Sequence, residues 1–216
     1  SGVRAAFYFM SSSVPSHRVR RVAGTPLFFG TMALAALLWC NALASASASE
    51  AIIHFQIGSN PKDDQIVRIT LFDHDAPITV ANFKALCLKK FYNGLTIHRV
   101  VPETLIQFGD PFSRKQDRSL VGTGGPGYTL PAEIHRPNVR GSVAMAALPP
   151  TLNPSRASNG SQVYILLRPQ PELDKDYTVF GQVTSGLEFL DSVSRRARDT
   201  NDYPLERVTI RLIEIH

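Results

Sequence analysis

Four separated stretches of the chain pair apolar runs with residues too particular for packing alone: Phe91–Pro111 (FYNGLTIHRVVPETLIQFGDP), Gly122–Tyr128 (GTGGPGY), Ala157–Leu167 (ASNGSQVYILL) and Tyr177–Gly181 (YTVFG). Arg99 is the residue among them best suited to chemistry. His98-Arg99-Val100 reads as a strand, so the guanidinium points to the face opposite His98 and Val100. An arginine alone on a strand is ordinarily half of a surface ion pair; this one stands within an unusually particular motif. Such a motif suits non-covalent catalysis: an apolar hollow, donors and acceptors that hold a chain, and a cation that bonds better to a distorted group than to the relaxed one. Metal chemistry is not indicated, because His54, His74, His98, His135 and His216 have no ligand spacing and Cys87 is isolated in the body. GTGGPGY lacks the Lys and Ser/Thr that follow a phosphate loop; its glycines suit tight turns with positive φ.

Taken in order, the four stretches resemble the cyclophilin family of peptidyl-prolyl cis-trans isomerases, over about Ala51–Ile215. The resemblance implies acceleration of rotation about X–Pro bonds, which face a barrier of ~18–20 kcal/mol because twisting destroys amide resonance. It implies Arg99 as the catalytic residue, bonding the prolyl nitrogen as that atom regains its lone pair. It implies Leu105, Gln107, Gly122, Ala146, Gln162, Tyr164, Leu173 and Tyr177 as substrate contacts, with the two glutamines on the substrate backbone, Tyr164 as pocket floor and Leu173 as rim. No cofactor is expected. The partners expected are proline-containing peptides or unfolded protein clients. A non-catalytic proline-peptide-binding module on the same fold is the alternative expectation.

The chain departs from the family pattern at several positions. Thr104 stands where an aromatic wall of the proline pocket is usual, removing apolar area worth roughly 1–3 kcal/mol if nothing refills it. Phe108 replaces a usual glycine and is a candidate to refill that space. Glu172 replaces a frequent tryptophan, which disfavours tight binding of cyclosporin-type cyclic peptides, and Tyr177 replaces a frequent histidine while keeping a ring and a polar tip. The loop Leu148–Ala157 (LPPTLNPSRA) is about six residues longer than the family's common form, by the resemblance, so the usual asparagine contact to substrate falls to Asn153 or is missing.

The elements that must position these residues are mostly strands. Alternating, β-branched runs at Ala51–Ile57, Ile66–Phe72, Leu95–Val101, Thr104–Phe108, Gly141–Ala147, Gln162–Leu167, Thr178–Val183 and Arg207–Ile215, separated by turn signals, favour a closed or sandwich-like β architecture. Two helices interrupt them. Thr79–Lys89 carries Val80, Phe83, Leu86 and Cys87 at helical spacing behind Pro77. Gly186–Arg196 opens with Ser185 and Glu188 in capping-box spacing and ends near Arg195, Arg196 and Arg198. The resemblance sharpens this to a mainly β fold: a closed eight-stranded antiparallel barrel capped by two helices, with the groove on its outside.

Charge separates the chain into two parts. Residues 1–49 hold four arginines and no acid; removing those four from the 23 basic residues leaves 19 against 18 acids in residues 50–216. The basic balance therefore belongs to the leading segment, and no nucleic-acid partner is expected. Arg18, Arg20 and Arg21, the apolar Leu27–Trp39 and the small residues Asn41–Ser49 follow the order of an export signal, with A-x-A sites ending at Ala46 and Ala48. The expectation is a leader over 1–49 and an isomerase domain over 50–216, exported to a periplasm or the cell exterior, or to a thylakoid lumen. An uncleaved anchor is the alternative. Once the leader is removed, a monomer without membrane contact and without an internal disulfide is expected.

Overall fold

The computed structural model describes residues 48–58 and 64–216, so the leader and the turn expected at Gly58–Asp64 lie wholly or largely outside the described residues. The strands are β1 (Glu50–Ile57), β2 (Asp64–Leu71), β3 (Arg99–Val101), β4 (Leu105–Phe108), β5 (Ser142–Ala147), β6 (Ser158–Leu166), β7 (Val179–Ser185) and β8 (Val208–Ile215). They form one sheet in the order β3-β4-β6-β5-β7-β2-β1-β8, with every pairing antiparallel.

The paired strands do not close into a ring. The sheet is an open, curled half-barrel with β3 and β8 at its edges; it keeps the mainly β, eight-stranded antiparallel part of the expectation, without the closure. The stretch Leu95–Val101, expected as one strand, divides between the two edges. Arg99–Val101 pairs with β4, and His98 N–H also bonds Gln107 O at 2.9 Å, while the residues before His98 turn to the opposite edge: Gly94 N–H bonds Ile210 O at 2.8 Å, Ile210 N–H bonds Leu95 O at 2.8 Å and Ile97 N–H bonds Val208 O at 2.9 Å. One short segment thus serves two edges, as a three-residue ladder with β4 and as a single bridge, Thr96 to Thr209, with β8.

Alternation along the strands separates core from site. Val100, Ile106, Phe108, Val163 and Ile165 face the interior, where they join Phe55, Phe83, Tyr92 and Phe180 in the main core. Their neighbours Leu105, Tyr164 and Leu166 face the outside and form a second, smaller cluster with Ala144, Ala146, Leu173, Tyr177 and Val179. A period of two makes this unavoidable once the interior side is filled.

Helix α1 (Pro77–Leu88) buries Val80, Phe83, Leu86 and Cys87, as its spacing predicts, and burial pushes the Cys87 thiol up to about 12, leaving it inert. Its N-terminal residue, Ala76, cannot cap it. Glu133 does so from 54 residues away: Oε1 accepts from Ile78 N–H at 3.0 Å, and Oε2 accepts from the Thr79 N–H and hydroxyl at 2.8 Å each. Helix α2 (Leu187–Ser194) departs from expectation, because Gly186, with φ of 90°, occupies the N-cap and no side chain caps it. The Ser185–Glu188 box therefore does not form. The arginines after it are also used differently: Arg198 pairs with Asp202 at 3.3 Å and Arg196 with Glu206.

The buried Glu133 cap is expected to hold the whole domain. Replacing Glu133 by Ala leaves two backbone donors and a hydroxyl without their acceptor and should cost about 1–3 kcal/mol, while Glu133→Gln should lose less. Urea melts of the two variants against the parent check the order.

Candidate active site

The outward residues of β3, β4 and β6 stand in register. Arg99 lies opposite Gln107, Gln107 opposite Tyr164, and Tyr164 opposite Ala144 on β5, so one row crosses four strands on the exposed face of the sheet. A cavity of about 280 Å³ opens beside this row. Arg99, Leu105, Gln107, Ala146, Tyr164, Leu173 and Tyr177, all singled out in the sequence, line it together with Ala147. Its size falls just under the ~300 Å³ where small-molecule clefts begin, so it suits one ring-sized group. Tyr164 and Tyr177 meet edge to face across it, with centroids 5.8 Å apart at 83°.

The two glutamines form a chain of hydrogen bonds that ends on Arg99. Gln162, almost wholly buried, donates through Nε2 to Gly122 O at 3.0 Å and Gly124 O at 2.8 Å. Its Oε1 therefore faces Gln107, whose Nε2 donates to it at 2.7 Å. That leaves Gln107 Oε1 turned to Arg99, which donates from Nη1 at 3.5 Å. Arg99 is exposed, and this single long bond leaves most of its five donors free above the cavity. The Tyr177 phenol senses the same charge: burial and Asp176 push its pKa up, while Arg99 pulls it down.

The glycine-rich loop is held by a residue the sequence reading passed over. Asp110 is fully buried and accepts from Phe112 N–H at 2.7 Å, from Gly124 N–H at 3.1 Å and from Gly122 N–H. A Cβ at Gly124 would lie 2.3 Å from the Asp110 carboxylate, so only glycine fits there. Gly109, before it, has φ of +99°, and a Cβ would come within 2.1 Å of Ser161 O, which explains the glycine of QFGDP. The order Gly-Asp followed twelve residues on by GTGG was the readable signal for this clamp.

The other expected residues fall around the cavity rather than in it. Gly122 and Gln162 line a neighbouring cavity of about 640 Å³, whose far wall is the inserted loop with Leu148, Leu152 and Asn153. Asn153 is spent on its own loop: Oδ1 accepts from the Ser155 hydroxyl at 2.9 Å and Ala157 N–H at 3.2 Å, and Nδ2 donates to Ala157 O at 2.9 Å. Thr104 sits in the turn between β3 and β4 with its hydroxyl on Pro102 O at 3.0 Å, outside the lining of the proline-sized cavity. Phe108 does not refill the space left by Thr104. It faces inward, fully buried, packing edge-on to Phe55 and Tyr92, because Gln107 takes the outward position beside it.

A third cavity, about 530 Å³, lies on the other side of Arg99 and includes His98, Arg118, Asp199 and Tyr203. Arg118 stacks 3.8 Å over the Tyr203 ring and pairs with Asp199 at 3.1 Å. His98 is buried at the base of the row, and burial lowers its pKa from 6.5 to about 4 despite the nearby Asp110 charge and the polar groups of Gln162 and Thr96. The unfolded ring takes up its proton near pH 6.5, so the unfolded state binds more protons than the folded one between that pH and about 4. Stability should be complete above pH 6.5 and fall by about 3 kcal/mol as pH drops through the folded value. Denaturant midpoints measured from pH 7 to 4 should fall less steeply in His98→Gln than in the parent.

Comparison with known proteins agrees with this geometry. A family model described as cyclophilin type peptidyl-prolyl cis-trans isomerase/CLD matches residues 54–215. A peptidyl-prolyl cis-trans isomerase of Synechococcus elongatus is 44% identical over 117 residues, covering 54% of this chain and 72% of that protein. Peptidyl-prolyl cis-trans isomerase B of Bacillus subtilis is 40% identical over 136 residues, covering 62% and 86%. Among solved structures, a cyclophilin type peptidyl-prolyl cis-trans isomerase of Cryptosporidium parvum, crystallised in the presence of the dipeptide Ala-Pro, is 26% identical with a TM-score of 0.64, covering 77% of this chain and 98% of that one. A half-barrel of this topology, a ring-sized hollow beside an arginine and a match over three quarters of the sequence agree: the chain belongs to the cyclophilin-type peptidyl-prolyl cis-trans isomerases.

Proposed function

We propose that Arg99 carries the isomerase reaction and that the 280 Å³ cavity takes the proline ring of the substrate. The observation that supports this reading most strongly is the relay of amides that ends on Arg99 and leaves its remaining donors free above an apolar hollow. Rotation about the X–Pro bond makes and breaks no covalent bond. As the amide twists, its nitrogen loses conjugation and becomes basic. A guanidinium, always charged, bonds that nitrogen more strongly in the twisted state than in either planar one. The cavity wall of Leu105, Ala146, Leu173 and the two tyrosine rings excludes water and strengthens the bond. Gln107 holds the guanidinium, and Gln162 holds Gln107; in this reading Gln162 orients the site more than it touches the substrate.

The neighbouring cavity takes the chain flanking the proline. Leu148 and Leu152 are exposed on its wall, and burying them against an apolar side chain is favourable by about 25 cal/mol per Å². Substrates are accordingly read as X–Pro segments of unfolded or loop protein with an apolar residue close to the proline. The Ala-Pro dipeptide named with the Cryptosporidium parvum structure is of this class.

A cis/trans exchange assay on a proline peptide tests the assignment. Arg99→Ala should reduce kcat/KM by roughly 100-fold or more, because a charge-assisted donor acting in the transition state is lost. Equal rates in parent and variant would remove Arg99 from the mechanism, and saturable binding by the parent without acceleration would favour a binding module instead.

The clients are read as exported proteins, and the enzyme as a monomer at its destination. Residues 1–49 support this through their order of arginines, apolar core and small residues. Expressed in an export-competent host, the mature protein should begin just after Ala46 or Ala48. N-terminal sequencing that finds the leader retained would point to an anchor.

A further inference from the structure

Tyr164 forms the floor of the proline pocket, and being a buried tyrosine it carries a hydroxyl that needs a partner beyond the floor. That partner is Asn138, 1% exposed, whose Oδ1 accepts from the phenol at 2.9 Å. The other polar atoms of Asn138 hold the pocket's rim. Its backbone N–H and Nδ2 donate to Asp174 Oδ1 at 2.6 and 3.3 Å, and its carbonyl accepts from Gln170 N–H at 2.8 Å. Gln170 and Asp174 bracket the short 3-10 turn Pro171–Leu173, which ends in Leu173 on the cavity wall and is closed by Leu173 N–H on Gln170 O at 3.0 Å.

We propose that Asn138, which does not itself line the cavity, is the positioning residue that makes floor and rim of the proline pocket one rigid unit. The inference rests on the reading of this cavity as the proline pocket. The direction of the amide is settled by Asp174: reversed, it would set its carbonyl against a carboxylate that can only accept. Burial raises the Tyr164 pKa, so the phenol remains a donor. Every polar group of Asn138 is thereby used, two toward the rim segment's Asp174, one toward its Gln170, and one toward the floor. The floor and rim come from segments that make no strand pairing with one another, so packing alone would let Leu173 move relative to the Tyr164 ring. Arg99 and Gln107 stand on the other side of the hollow and share no hydrogen bond with this network. The consequence is a division of labour. Asn138 sets how well a proline is held, and Arg99 sets how fast the held bond turns.

The test measures Kd and the on-enzyme exchange rate separately, by NMR lineshape analysis of the full chain with a short Ala-Pro-containing peptide. Tyr164→Phe removes one oxygen and should weaken binding at least about threefold; Asn138→Val should weaken it roughly tenfold. The on-enzyme rate should stay within about twofold in both, which a general loss of structure would not spare. The double variant should bind no worse than Asn138→Val alone, because the shared bond is already gone. Unchanged Kd in Tyr164→Phe, a fall in rate at constant Kd, or additive losses in the double variant would each overturn the role of Asn138. If Asn138→Val fails to fold, the Kd and rate of Tyr164→Phe decide alone. A parent protein that binds no proline peptide would instead remove the pocket reading, and this inference with it.

Discussion

Gln162 gives both protons of its amide to the carbonyls of Gly122 and Gly124, and from that one commitment the polarity of the site follows. Its oxygen must accept, so Gln107 must donate to it, and the oxygen of Gln107 is left for Arg99. Reversing Gln162 would set its oxygen against two loop carbonyls, and reversing Gln107 would set two amide oxygens against each other. The loop that carries these carbonyls is itself held by Asp110, fully buried, whose carboxylate accepts from the N–H groups of Phe112, Gly122 and Gly124. An exposed guanidinium on a short edge strand would otherwise sample many rotamers; tied through two amides to a clamped loop, it is kept over the hollow.

The hollow can be apolar and open because the sheet has two faces with separate duties. Phe108, Ile106, Val163 and Ile165 fill the interior and supply the stability. Leu105, Tyr164 and Leu166, one residue out of phase with them, form a small outer cluster that is left incomplete. The gap in that cluster is the 280 Å³ cavity beside Arg99. A site built on strands whose other side is a packed core inherits the core's rigidity, which is what a transition-state contact requires.

The departures from the family pattern are absorbed locally. Thr104 bonds the turn it belongs to and leaves the pocket to the tyrosines, whose hydroxyls bring polar requirements that phenylalanine lacks. The inserted loop is pinned by Asn153 within itself and by the Arg156–Asp176 pair at 2.8 Å, next to Tyr177. It stands as a preformed wall with two leucines toward solvent, an arrangement that adds apolar area beside the groove without altering the row that holds Arg99.

Much of this was written in the one-dimensional pattern. Alternation placed Arg99 on the face opposite His98 and Val100; the resemblance named Leu105, Gln107 and Tyr164 beside it, and allowed Phe108 a role in the pocket that alternation from Gln107 denies it. Eight strands and two helices were legible from period and turn residues, because those signals are local. What tertiary structure alone decided involves partners far apart in the chain. Glu133 capping a helix 54 residues away, Asn138 reaching Tyr164 26 residues on, and Gly94, Leu95 and Ile97 bonding β8 all depend on where the chain returns in space. Local composition determines which face a residue takes; which distant atom satisfies a buried donor is fixed only when the sheet has curled and brought it within 3 Å.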